Sequence, residues 1–170
     1  FSKEECDMIN NEKKCKFLPK VELPEGIQCT TSYEEAIKDT EMVIHVTPSK
    51  FTRDVVKQYK QYVTTQPIVI CSKGFEKDSL KTLDEVILDE LPTARIGVLS
   101  GPSHAEEVSI GMPTVLVSAS EDEYVRNFIF NFINFPKLKI EIPYNNAKIE
   151  HVSNVRIDPT ISDNSDIGER

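Results

Sequence analysis

A chain of 170 residues is long enough for one domain with a sizeable core. Its net charge of −8 argues against a nucleic-acid-binding face, which needs clustered Lys and Arg, but it leaves room for a local basic pocket that holds a small anion. Hydrophobic residues at 39% and charged residues at 28% suit an ordinary soluble protein, and no apolar run reaches the length of a membrane span.

The chain opens at Phe1 with neither an initiator Met nor a signal-peptide pattern, so its beginning is expected to be missing. Residues 1–11 read as a helix, with Met8 and Ile9 facing inward and Glu4-Glu5 suited to a first turn. The Leu18-Pro19 and Leu23-Pro24 steps make 13–26 an extended connection, because a residue before proline avoids the helical region. Residues 27–30 are a short strand candidate. Ser32 with Glu35 fits a capping box that opens a helix through Lys38. Met42-Val43-Ile44-His45-Val46 is a β-branched apolar run suited to a strand covered on both faces, as in a parallel sheet.

Thr47-Pro48-Ser49 ends that strand, and a helix follows with Phe51, Val55, Tyr59 and Tyr62 near one face. The next strand, Pro67-Ile68-Val69-Ile70-Cys71, stops at Ser72-Lys73-Gly74. A helix from about Ser79 carries Leu80, Leu83, Val86, Ile87 and Leu91 at helical spacing and is closed by Pro92. Ile96-Gly97-Val98-Leu99-Ser100 is a strand that breaks at Gly101-Pro102. Ser103 with Glu106 repeats the capping-box pattern, so the stretch reads strand, tight turn and helix N-terminus, where unpaired N–H groups can hold an anion. Gly111-Met112-Pro113 cuts that helix short.

Residues 114–117 form another strand candidate. Ser120 and Glu123 suggest a further capping box, before a helix with Tyr124, Val125, Phe128, Ile129, Phe132 and Ile133. Leu138, Ile140 and Ile142 alternate with Lys139 and Glu141, the pattern of a half-buried strand near an edge. Residues 143–170 show no firm period and read as an irregular tail with no assigned role.

Strands alternating with helices predict an α/β domain with a mainly parallel sheet covered on both faces. Right-handed crossovers put parallel strand ends on one edge, so the loops at Thr47-Pro48-Ser49, Ser72-Lys73-Gly74 and Gly101-Pro102-Ser103 should share a rim. Lys73 brings a point charge there, able to meet a phosphate or polarise an oxygen. Taken alone, it reads more simply as a solvated strand-end lysine. Ser103 offers a hydroxyl and neighbouring N–H groups, and helix capping is its plainer role. Phe51 reads as core rather than as a partner for a planar ligand. His104 has no identifiable carboxylate or hydroxyl partner. His45 and His151 are expected to be structural. Cys6, Cys15, Cys29 and Cys71 form no C-x-x-C pair and suggest reduced, structural thiols, with no metal site. No G-x-G-x-x-G, the usual dinucleotide-binding turn, occurs in the chain.

Together these motifs resemble NAD(P)-dependent glycerol-3-phosphate dehydrogenase of the bacterial type. The resemblance rests on Phe17-Leu18-Pro19, Leu23-Pro24, Val46-Thr47-Pro48-Ser49, Ser72-Lys73-Gly74, the run from Leu99 to Val108, and Gly111-Met112-Pro113-Thr114, and it spans about residues 1–142. It implies a Rossmann-like, doubly wound, mainly parallel sheet lacking the first strand and glycine-rich turn. Residues 1–142 would be a partial NAD(P)-binding domain. The implied reaction interconverts dihydroxyacetone phosphate and sn-glycerol 3-phosphate with NAD or NADP as cofactor, in the cytoplasm, for glycerophospholipid synthesis. Lys73, Gly101 and Ser103 would contact substrate, and Phe1, Phe51, Lys73 and Ala105 the cofactor; the resemblance leaves a homodimer open. The family's general-acid lysine, in a Gly-Ala-Leu-Lys-Asn-like segment, has no counterpart here, and Lys148 is a poor match. No catalytic residue is therefore assigned, and an incomplete, weakly active or inactive copy is expected. The alternatives are a non-catalytic Rossmann-like nucleotide-binding or dimerisation module, or another nucleotide-binding sheet protein such as a hydroxyacid dehydrogenase.

Overall fold

Five strands form one sheet, in the order β1-β2-β3-β4-β5, in a computed structural model that describes residues 2–133 and 138–141. They are β1 (Val43–His45), β2 (Ile68–Ile70), β3 (Ile96–Ser100), β4 (Thr114–Ala119) and β5 (Leu138–Glu141). The pairings β1–β2, β2–β3 and β4–β5 are parallel, and β3–β4 is antiparallel. The sheet is therefore mainly parallel, as the alternation of elements predicts.

The helices are α1 (Lys3–Glu12), α2 (Tyr33–Ile37), α3 (Thr52–Tyr59), α4 (Leu83–Glu90), α5 (Ala105–Ser109) and α6 (Glu123–Ile133). Successive strand residues point to opposite faces, so β2 supplies Ile68 and Ile70 to one side and Val69 to the other. On the first side α3 and α4 bring Val56, Tyr59, Leu83 and Ile87 against Ile68, Ile70, Ile96 and Val98. On the second side α6 lays Val125 and Ile129 on Val69, Leu99 and Leu116. Burying each such aliphatic side chain contributes about 1.5–3 kcal/mol. The approach of α6 depends on Gly97, where an added Cβ would lie 2.5 Å from Ile129 Cδ1 and 2.9 Å from Val125 Cγ1.

Several element ends differ from the sequence reading, each because a local polar group has a better partner. Residues 27–30 form no strand. Their backbone is satisfied by a side chain: Asn10 Nδ2 donates to the Cys29 carbonyl at 2.9 Å, and Cys29 N–H donates to Asn10 Oδ1 at 2.7 Å. At α2 only half of the capping box forms, because the Glu35 carboxylate accepts from the Thr30 hydroxyl at 2.6 Å. Helix α4 starts at Leu83 rather than near Ser79. Thr82 and Glu85 form its capping box, while Leu80 takes a left-handed φ of 58° and is 76% exposed. Ser120 does not cap α6; its hydroxyl donates to the Ile96 carbonyl, and Asp122 accepts from the N–H groups of Tyr124 and Val125 instead.

Strand β1 is likewise not covered on both faces. It pairs with β2 alone among the described residues, and Ile44 and Val46 are 49% and 65% exposed. At the N-terminus α1 matches expectation and adds a full capping box between Ser2 and Glu5, burying Cys6 and Ile9 while Met8 stays half-buried. Ile142, His151, Lys148 and the 143–170 segment lie outside the described residues.

Candidate functional site

Because β1, β2 and β3 run parallel, their C-terminal ends lie on one edge of the sheet. The first two loops are tied together there. The His45 carbonyl accepts from Cys71 N–H at 3.0 Å and from the Ser72 hydroxyl at 3.3 Å. Gly74, at φ 103°, comes so near the loop after β1 that a Cβ on it would lie 3.4 Å from Ser49 Oγ. A side chain is strained at that φ, so glycine suits this close turn. Between these anchors Lys73 is exposed, its charge free of any ion pair among the described residues.

The third loop is shaped by β4. A Cβ on Gly101 would sit 2.7 Å from the Val115 carbonyl oxygen and 3.2 Å from Leu116 Cα, so the loop after β3 can lie here only without a side chain. The turn is closed by Ser103 N–H donating to the Gly101 carbonyl at 2.9 Å. The expected capping box at Ser103 does not form. Helix α5 begins one residue too late for it: His104 takes the N-cap position with no side-chain bond, and the Ser103 hydroxyl faces the Gly101 carbonyl at 3.5 Å. Helix α5 has only five residues and carries Glu106 and Glu107 in its first turn, whose negative charges offset its positive end. Lys73 and Lys50, not α5, thus carry the positive charge of this edge. A cleft of about 260 Å³ separates α5 from the Leu-Pro excursion, lined by Phe17, Leu18 and Pro19 on one side and Ser109 and Ile110 on the other.

Phe51 is not core. It lies in a 3₁₀ turn (Ser49–Phe51) after β1, 48% exposed, with the Lys50 ammonium 4.6 Å from its ring centre. Ala105 is exposed at the start of α5, and Phe1 lies outside the described residues. The structure therefore sets Phe51, Lys73, Gly101, Ser103 and Ala105 on loops, or the helix start, that follow three adjacent parallel strands. It shows no direct contact between Lys73 and Ser103. Just inside the edge His45 is 3% exposed, with its imidazole 3.3 Å from Thr52 Oγ1 and 3.4 Å from the Tyr59 hydroxyl. Burial holds its pKa below the usual histidine value, which fits a neutral, structural ring.

A bracing cluster behind Lys73 was not foreseen. Arg53 on α3 grips Glu76, three residues beyond Lys73, with two bonds of 2.7 and 2.8 Å. It also reaches Glu90 and Asp89 on α4, at 3.0 Å each. The Arg53 guanidinium, helped by the Ser79 hydroxyl, holds the Glu76 carboxyl at about 2. The partners stand 23 to 37 positions apart, so no local spacing announces them. Among the described residues no group of three or more His, Cys, Asp or Glu could hold a metal ion, and no helix is long and apolar enough to cross a membrane.

Comparison with known proteins gives this geometry a context. Residues 1–126 match the model of a family described as NAD-dependent glycerol-3-phosphate dehydrogenase N-terminus. A glycerol-3-phosphate dehydrogenase [NAD(P)+] of Enterococcus faecalis is 40% identical over 137 residues, covering 75% of this chain and 40% of that protein. One of Fusobacterium nucleatum is 35% identical over 145 residues, covering 82% and 43%. The chain thus spans less than half the length of these curated relatives. The crystal structure of glycerol-3-phosphate dehydrogenase from Coxiella burnetii superposes with a TM-score of 0.78 at 23% identity, over 84% of this chain and 44% of that one, and shares its fold.

Proposed function

Because the chain belongs to the NAD-dependent glycerol-3-phosphate dehydrogenase family through its N-terminal domain, we propose that it forms the part of an NAD(P)-dependent oxidoreductase that receives the substrate and the nicotinamide end of the cofactor. The substrate pair is dihydroxyacetone phosphate and sn-glycerol 3-phosphate. A cytoplasmic role in supplying glycerophospholipid synthesis, and a homodimeric assembly, belong to the same reading. The observation that carries it is the shared edge: three parallel strands deliver Phe51, Lys73 and the Gly101-Pro102-Ser103 turn to one side of the sheet.

These residues fit the cofactor's reactive end, although no G-x-G-x-x-G for its pyrophosphate occurs in the sequence. The cofactor, when bound, supplies the two-electron reducing equivalent. Lys73 is the group to neutralise a phosphate or polarise a carbonyl oxygen, since its ammonium is a compact charge on a flexible stem. Ser103 adds a hydroxyl, and the bare Gly101 backbone lets a ligand lie close. Phe51 offers a flat apolar face. No residue of the 170 is assigned as proton donor, so in this chain the reading is of binding first and turnover second.

Titrating the chain with NADH, followed by fluorescence, tests this. Binding is expected, and Lys73→Ala should weaken it, or its enhancement by dihydroxyacetone phosphate, by roughly 10- to 100-fold, the cost of losing a charged hydrogen bond. A circular dichroism spectrum unchanged by the substitution keeps folding out of the comparison. Equal affinity in wild type and variant would refute the site. A second reading is a binding or dimerisation module without catalysis, since no proton donor is assigned among these residues. NADH binding with no consumption of dihydroxyacetone phosphate would select it.

A further inference from the structure

The sulfurs of Cys6 and Cys29 lie 2.9 Å apart although the residues are 23 positions apart in the chain. Both are free thiols. Cys6 sits on the buried face of α1, 5% exposed, with Ile9 one turn further along the same face. Cys29 is held opposite it by the Asn10 side chain, which bonds both its carbonyl and its N–H. The two backbones are thus fixed by contacts other than the sulfurs themselves. Cys29 also lines an open cleft of about 840 Å³, together with Asn10, Lys13, Gly26 and Glu35, so a small solute can reach it.

We propose that Cys6 and Cys29 are an oxidisable pair that closes to an intrachain disulfide and fastens α1 to the 27–30 segment. With hydrogen peroxide as oxidant, the Cys29 sulfur attacks one peroxide oxygen. The O–O bond breaks, the sulfur is oxidised to a sulfenic acid, and one water leaves. The Cys6 sulfur then attacks the Cys29 sulfur, the S–O bond breaks and a second water leaves. The sum is two thiols and one peroxide giving one disulfide and two waters. The sulfurs need approach by only about 0.9 Å to reach the bonded distance of roughly 2.05 Å. Cys29 is the attacking thiol because it faces the cleft, and Cys6, sheltered from solvent, is the resolving one. Burial, reinforced by the neighbouring thiol, pushes Cys29 up to about 11, so the reactive thiolate is scarce at neutral pH and the pair stays reduced without an oxidant challenge.

The whole chain is treated with hydrogen peroxide, alkylated under denaturing conditions and mapped by mass spectrometry. Two of the four thiols should be lost together, linked as Cys6–Cys29 and restored by dithiothreitol, while Cys15 and Cys71 remain alkylated. The rate should rise with pH from about 7 to 10, as thiolate appears. In Cys6→Ser a dimedone adduct should collect on Cys29. Four thiols surviving peroxide, loss spread over all four cysteines, or linkage only between chains would overturn the proposal. Because the wild type is the principal sample, a variant that fails to fold does not shield it.

Discussion

The sheet and the N-terminal arm, residues 2–30, are held by different forces. The sheet buries continuous aliphatic surface: Ile68, Val69, Val86, Ile87, Val125 and Ile129 have no exposed area at all. The arm buries only Cys6 and Ile9 and depends on point contacts: the Ser2–Glu5 capping box, the two bonds from Asn10 to Cys29, and an ion pair between Lys16 and Glu5. Many apolar contacts packed around one sheet must be given up together, whereas a few separate polar contacts can be broken locally. The comparison therefore says that the arm should open before the sheet melts.

The largest expected effect belongs to the sheet. Ile87→Ala removes a fully buried side chain between α4 and β2 and should cost about 2–5 kcal/mol, read as a lower urea midpoint. A loss under 1 kcal/mol would mean that this core is not the main store of stability. Asn10→Ala comes next, at about 1–3 kcal/mol, because it removes both hydrogen bonds to the Cys29 backbone. Hydrogen exchange should quicken across residues 6–10 and 27–30 and stay unchanged in β2 and β3; uniform quickening would erase the distinction between the two regions. The smallest effect is at acid pH. The folded Glu76 pKa is about 2 against 4.5 unperturbed, so its contribution is complete above pH 4.5 and is lost as pH falls toward 2. Thermal midpoints measured from pH 6 to 2.5 should show this loss, and Arg53→Met should flatten it by removing the charge that lowers Glu76. An identical acid slope in the variant would remove Arg53 as its cause.

Much of the sheet was legible because β-branched runs are hard to place anywhere else. Residues 42–46, 67–71 and 96–100 each contain the observed strand, and the helical spacing of Leu83, Val86 and Ile87 gave the face of α4. Element ends were less legible, because Ser, Thr and Asp compete for the same backbone N–H groups and the winner depends on tertiary neighbours. Thr82, Asp122 and His104 took end positions that the sequence reading gave to other residues. At the candidate site, the loops after the strands could be read from Lys73-Gly74 and Gly101-Pro102. The exposure of Phe51 and the grip of Arg53 on Glu76 could not, since both depend on chain segments far away in sequence.

The contact between Gly97 and Ile129 ties two distant codons into one constraint on volume. Adding a methyl at position 97 without trimming position 129 forces the Ile129 and Val125 side chains to shift, while trimming Ile129 alone opens a void. A library randomised at both positions should return pairs rather than independent winners. The coupling energy from such a double-mutant cycle would measure how firmly α6 is seated.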